Sequence, residues 1–267
     1  MHVERFESAL WQTTSLLLVA DGEAVVVDPC ISRDEVLRIR ERADELGVRV
    51  THVLVTHADW DHVCGIAAFP DAVATMGEET ARIVESGAPA RELAEQAAAY
   101  GVDVHQPPRV DRALAPSVAH QIGPFVVEML PLAGHTVDGT AYRVRALDLL
   151  AVGDHLSAVE FPFASSSTAD YRMTLVGLVD LLERDPPAQV FPGHGPPLTA
   201  PEALDIARRD LEYLHELHAA VSAALAGGTT ESARAAGRAV RPPRGAPSDL
   251  AGELAGNVEA QLAELQA

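Results

Sequence analysis

The chain has 267 residues, enough for one full hydrophobic core with a small appendage. Apolar residues make up 48% of it and aromatics only 4%, so the core must be built mainly from Val, Leu and Ala. With 39 acidic against 20 basic residues the formal net charge is −19, which repels nucleic acid and anionic membrane because both need clustered Lys and Arg.

Residues Met1 to Glu7 lack the basic start and apolar run of a secretory signal, and no apolar stretch approaches membrane-spanning length. A cytoplasmic protein is therefore expected. Cys30 and Cys64 are too few for a disulfide framework or a thiolate zinc site and are read as packing residues. Ser15 to Ala20 and Ala24 to Val27 are short β-rich runs joined by Asp21-Gly22, a pair that closes tight hairpins. Asp28-Pro29 stops the second run. Ser32, with Glu35 three residues on, forms a capping box for a helix reaching about Leu46, and Gly47 follows its end.

Val50 to Thr56 is the next strand. A helical turn or two over Val63 to Phe69, a strand over Ala72 to Thr75, and two helices in Glu78 to Tyr100 broken at Gly87-Ala88-Pro89 follow. Gly101 to Ala119 shows no sustained period and reads as loop with strand fragments. Strands are predicted over Phe125 to Leu130, Ala141 to Arg145, Leu147 to Val152 and Gln189 to Phe191, with a helix from Thr168 to Glu183 before the last. Pro201 to Ala226 is one long amphipathic helix with Leu204, Leu211, Leu214, Leu217, Val221 and Leu225 as its apolar stripe. Glu231 to Ser248 is a linker or short helix with an extended segment, and Asp249 to Leu265 a final acidic helix. Alternating strand and helix patterns point to an α/β fold.

Four of the predicted strands end in metal-ligating residue types. Val50 to Thr56 runs into His57, Asp59, Asp61 and His62; Gly134-His135-Thr136 follows Pro131; Gly153-Asp154-His155 and Pro192-Gly193-His194-Gly195 end two later strands. Histidine and carboxylate donors suit zinc, iron or manganese, and the set is large enough for two ions with open positions.

In these motifs the sequence resembles the metallo-β-lactamase fold hydrolases, whose pattern is His-x-His-x-Asp-His, then Gly-His, then an Asp after a strand, then a late Gly-His. The resemblance covers about residues 10 to 200, and Val27-Asp28-Pro29 also matches a common strand end in the family. It implies a four-layer αββα sandwich over residues 1–200, with residues 201–267 as a helical extension packing on the same domain. It further implies that His57, Asp59 and His135 hold one divalent ion, that Asp61, His62 and His194 hold another, and that Asp154 bridges them. A metal-bound hydroxide would then attack the substrate, with Asp61 as the catalytic residue that orients it. Zinc is the expected metal.

The departure is Asp59, where most hydrolytic members carry histidine. A third carboxylate makes the site less positive and favours harder ions, so iron or manganese stands as an alternative. Asp59 is either a ligand or an acceptor that orients His57 or His135. Trp60 either flanks the substrate mouth or packs behind the loop; Tyr171, like His155, is a candidate proton donor near the substrate. Ser165-Ser166-Ser167 has no glycine elbow and reads as a flexible loop, not a nucleophile. His215 and His218, spaced i, i+3, are read as solvated or packed, and His2, His52, His105 and His120 as structural.

The leading expectation is a hydrolase of a small ester, thioester or lactone. An iron-dependent oxidoreductase, sulfur dioxygenase-like or diiron, is the alternative that Asp59 keeps open. A non-catalytic metal-stabilised binding protein is the third reading, and a nuclease is disfavoured by the charge. The substrate is a small molecule; substrate identity and oligomeric state are not encoded in any motif.

Overall fold

Side-chain alternation along the strands decides the layering in the computed structural model, which describes residues 1–104, 108–244 and 251–266. One sheet has six strands in chain order: β1 (His2–Glu7), β2 (Thr14–Ala20), β3 (Glu23–Val27), β4 (Arg49–Val55), β5 (Val73–Gly77) and β6 (Arg112–Leu114). It is antiparallel from β1 to β3 and parallel from β3 to β6. The other has the order β11-β10-β9-β8-β7, built from β7 (Ala119–Ile122), β8 (Phe125–Pro131), β9 (Thr140–Val144), β10 (Leu149–Ala151) and β11 (Gln189–Phe191). Only β10 and β11 run parallel there.

Leu16, Leu18, Val25, Val27 and Leu54 point from the first sheet onto Phe125, Val127, Met129 and Tyr142 of the second. Their neighbours Leu17, Val19, Ala24, Val26, Val53 and Val55 point the other way, onto Val36, Ile39 and Ala43 of helix α1 (Arg33–Glu45). Short α2 (Trp60–Val63), α3 (Glu78–Glu85) and α4 (Ala88–Tyr100) continue that outer layer. The far face of the second sheet, Ala141, Leu150 and Val190, is covered by α5 (Thr168–Arg184) and α6 (Ala200–Gly227), with α7 (Thr230–Arg238) and α8 (Ala251–Gln266) packed against them. The architecture is a four-layer αββα sandwich with C-terminal helices. No helix among the described residues is long and apolar enough to cross a membrane.

Local chemistry explains the early elements. Asp21 and Gly22 both take positive φ (50° and 78°), as a two-residue turn between Ala20 and Glu23 requires. The Ser32–Glu35 capping box forms, and Glu35 additionally accepts from Ser8 Oγ and Ala9 N at 2.9 Å each, fixing the N-terminal loop onto α1.

Three expectations change. β1 and β7 were not readable: β1 alternates charged with partly buried residues at a sheet edge, and β7 has only four residues. The buried face of α6 is Ala203, Ile206, Ala207, Asp210, Tyr213, Leu214, Leu217 and Val221, whereas Leu204, Leu211 and Leu225 are only partly buried. Small alanines let α6 approach α5 closely, and buried Asp210 is compensated by Arg244 at 2.7 Å. Lastly, Ser165 to Ser167 is a hydrogen-bonded strip: Ser166 Oγ donates to Gly134 O (3.0 Å), and Ser167 caps α5 by accepting from Asp170 N (3.0 Å). The reading of His105, the segment from residue 245 to Ser248 and the helix start at Asp249 lie outside the described residues.

Candidate metal centre

Both sheets offer the same edge to the site. β4 hands over to Thr56-His57-Ala58-Asp59, and the first turn of α2 carries Asp61 and His62; His135 follows β8, Asp154 follows β10 and His194 follows β11. Asp59 sits at the N-cap of α2, yet its carboxylate makes no capping bond. It turns to the histidines instead, with Oδ2 at 3.3 Å from His135 Nε2 and 3.6 Å from His57 Nε2.

Three overlapping groups result, His57 with Asp59 and His135, Asp61 with His62 and His194, and His57 with His62 and Asp154 across those two; within each, the donor atoms lie within 4.8 Å of one another. Asp154 stands between the first two. Its Oδ2 is 3.2 Å from both His135 Nε2 and His194 Nε2 and 3.6 Å from His57 Nε2, while Oδ1 is 3.1 Å from His62 Nε2. In the second group Asp61 Oδ2 lies 3.4 Å from His62 Nε2 and 3.5 Å from His194 Nε2.

The donor set fits divalent cations. The Nε2 atoms of His57, His62 and His135 and Oδ1 of Asp154 are buried without a hydrogen-bond partner. Such orphans are costly singly, and here they converge on one point where a cation would satisfy them together.

Each imidazole is aimed by what holds its other nitrogen. His62 Nδ1 donates to Asp28 Oδ2 (3.1 Å), and Asp28 is itself held by Thr56 N (2.8 Å) and Thr56 Oγ1 (2.6 Å). Because the Thr56 hydroxyl donates its proton to Asp28, its oxygen accepts from His57 Nδ1 at 3.0 Å. His135 Nδ1 donates to the Phe163 carbonyl (2.8 Å) and His194 Nδ1 to the Trp11 carbonyl (3.1 Å). Asp138 Oδ2 accepts from Ala58 N (2.8 Å), tying the loop after His135 to the loop after His57. At Gly193 a Cβ would lie 2.1 Å from Asp154 Oδ1 and 2.9 Å from His62 Cε1, so only glycine lets the two strand ends meet.

Without metal, the charges balance through protons. Burial alone would depress all four histidines, but Asp154, Asp59 and Asp61 outweigh it. His57 and His194 are each raised to about 9, and His62 and His135 well above their ordinary value. Burial would likewise raise Asp59, yet His135 and His57 hold its carboxyl well below the usual range.

Of two further candidates, Trp60 takes the second of its two readings and Tyr171 does not sit near the substrate. Trp60 is buried behind the loop with Cys30, Ile31, Cys64 and Leu93, edge-on to Trp11 at 5.6 Å. Tyr171 is fully buried, donates its hydroxyl to the Asp154 carbonyl (3.2 Å) and stacks beside His155 at 4.5 Å. Neither faces substrate space: an indole behind α2 and a phenol committed to a backbone carbonyl are scaffold. Burial pushes Tyr171 well above its ordinary range and His155 down to about 3, so the first holds its proton and the second is neutral. The open space lies instead beside Asp59, a cleft of about 220 Å³ whose walls include Glu92, Thr136, Ser165, Ser166, Ile83 and Pro89. His215 is exposed on α6 and His218 partly buried.

Sequence reasoning missed Thr13 and Asp138, whose partners lie far along the chain, Thr56, whose link from Asp28 to the adjacent His57 needs the paired strands, and the Phe163 carbonyl, which any residue would supply. Asp28 had a signal, its place at a strand end before proline.

Residues 9–194, which contain all of these donors, match the family model for the metallo-beta-lactamase superfamily. The chain belongs to that superfamily. A metallo-beta-lactamase family protein of known structure from Thermus thermophilus superposes with a TM-score of 0.70 at 19% identity, covering 99% of this chain and 93% of that one, a likeness of fold. A hydroxyacylglutathione hydrolase of Cereibacter sphaeroides is 32% identical over 140 residues, 52% of this chain and 46% of that protein. One of Acidiphilium cryptum is 29% identical over 242 residues, 90% of this chain and 82% of that protein. The chain spans about half the length of the first curated relatives it matches.

Proposed function

We propose that the protein is a metal-dependent hydrolase of a small ester, thioester or lactone. One observation carries this reading: the partnerless buried donors of His57, His62, His135 and Asp154 converge where two donor groups share a carboxylate, beside an open cleft. Two divalent ions would supply an acidified water and polarise the electrophilic carbon. His57, Asp59 and His135 would hold one ion and Asp61, His62 and His194 the other, with Asp154 shared. Asp61 is buried, and its Oδ2 also accepts from Thr13 Oγ1 at 3.4 Å. That bond fixes the carboxylate so that it would orient the attacking water. Residues 1–200 carry the chemistry and residues 201–267 are the helical extension on the same domain.

A thioester is favoured within the substrate class because the relatives matched are named hydroxyacylglutathione hydrolases. The test is metal analysis of the purified protein followed by a panel of thioesters, esters and lactones. Zinc-dependent turnover that is lost in His62→Ala together with its metal is expected; full metal content and activity in that variant refute the reading.

A second reading, an iron-dependent oxidoreductase, is favoured by the Asp59 carboxylate lying at 3.3 Å from His135 Nε2. Iron in the aerobically purified protein together with substrate-dependent oxygen uptake would select it. Stoichiometric zinc without oxygen uptake would remove it.

A further inference from the structure

Helix α8 carries fully buried amides, Asn257 and Gln261, both 0% exposed. Burying such groups costs about 1–3 kcal/mol each unless their hydrogen bonds are met. They are met, largely by one segment, with Tyr213 on α6, Arg172 on α5 and Glu264 on α8 itself completing the set. Asn257 Oδ1 accepts from Ala164 N (2.7 Å) and its Nδ2 donates to Pro162 O (2.8 Å). Glu264, one turn further, accepts from Ser167 Oγ (2.9 Å) and Ala169 N (3.0 Å), and the one Thr168 hydroxyl proton lies between Glu264 Oε2 (2.8 Å) and Gln261 Oε1 (2.9 Å).

The other side of the same strip faces the metal centre. Phe163 O accepts from His135 Nδ1 (2.8 Å), Ser165 N donates to His135 O (2.9 Å), and Ser166 Oγ donates to Gly134 O (3.0 Å). The strip from 162 to 169 is thus held on one side by α8 and holds His135 on the other. Among the described residues the imidazoles of His62 and His194 have no hydrogen bond to the strip: Asp28, the Trp11 carbonyl and Thr13 brace them, and Ser157, ahead of the strip, holds only the His194 carbonyl (2.9 Å).

We infer that α8 is a positioning element for the His57, Asp59 and His135 group: Asn257 and Glu264 fix the strip, and the strip aims the His135 imidazole. This rests on the metal-hydrolase reading. A helix late in the chain, far in sequence from every donor and touching none of them, then sets the affinity of one metal position and leaves the other alone.

The test is titration of the metal-free full chain with Zn²⁺ against a chromophoric chelator. His135→Ala identifies the binding step that belongs to its group. Asn257→Leu should weaken that same step by up to about 10-fold, below the loss seen on removing a direct partner of a ligand, Glu264→Gln should weaken it less, and the other step should stay unchanged. Arg234→Ala, which breaks the Arg234–Glu259 pair between α7 and α8 (2.6 Å) without touching the strip, should leave both steps alone. Should Asn257→Leu not fold, Glu264→Gln carries the test, with faster amide exchange at Ala164 and Ser165 as its second readout. Unchanged steps in both strip variants, equal weakening of both steps, or a selective loss in Arg234→Ala overturns the inference. No zinc step at all in the unaltered protein overturns the hydrolase reading and this inference with it.

Discussion

His62 and His194 lean on Asp28, Thr13 and the Trp11 carbonyl, and Asp61, His62 and His194 are all buried. His135 leans on a backbone carbonyl in a strip fastened to the last helix, and the side chain of Asp59 beside it is 41% exposed. Two donor groups that share Asp154 are therefore built differently. The closed group takes all its braces, Asp28, the Trp11 carbonyl and Thr13, from the first sheet and its loops, whereas the open group takes Thr56 on His57 from there and the Phe163 carbonyl on His135 from the strip. The open group borders the cleft, where its third donor can meet solvent and substrate. The contrast assigns rigidity to one position and chemical adjustability to the other.

The most severe way to break the contrast is to remove what the groups share. Asp154 lies within 3.6 Å of an Nε2 on all four histidines, so Asp154→Ala should empty both positions and bring hydrolysis down to the level of chelator-treated protein. Metal analysis checks it, and one full equivalent of retained zinc would show the closed group to be independent.

Next comes pH. In the metal-free protein His57 of the open group and His194 of the closed one are each raised to about 9, against an ordinary value near 6.5. Zinc must displace those protons, so its affinity should strengthen about tenfold per pH unit for each proton displaced and level off above pH 9. The metal-free fold runs the opposite way. Its stabilisation by protonated histidine is complete below about pH 6.5 and lost as pH rises through about 9, so chelator-treated protein should melt lower at pH 9 than at pH 6. Zinc titrations and thermal melts at both pH values check the two signs.

Asp28→Asn acts first on the closed group, through His62 Nδ1, and reaches the open group only through Thr56 and His57. Weakening the acceptor for His62 Nδ1 should cost about 10–100-fold in zinc affinity at that position and less at the other, read from a two-step titration. The mildest change is Asp59→His in the open group, which should shift metal preference severalfold from manganese toward zinc with little change in total metal bound, measured by competition between the two ions.

The donors were legible in the sequence because each stands where an apolar strand stops, a pattern that local physics produces. The hairpin at Asp21-Gly22 and the capping box at Ser32 were legible for the same reason: one turn of chain decides them. The braces were hidden because they depend on partners that only the docked sheets bring together. Thr13 reaches His194 across 181 positions, and Asn257 reaches Ala164 across 93. The face of α6 misled because its stripe of leucines outweighed the alanines and Asp210 that turn inward.

The order of events in folding follows from where the donors sit. They run from residue 57 to residue 194 and come from both sheets, and the last of them arrives on β11, which pairs parallel to β10 only after the whole of α5 has crossed over. Contacts that span so much chain form late, because the entropy of closing the loop is lost before the contact can offset it. No partial set of strands assembles the centre, and a nascent chain that has not yet delivered β11 lacks His194 beside Asp154. The position built from Asp61, His62 and His194 would therefore be completed last, and an ion bound there would slow unfolding more than it speeds folding.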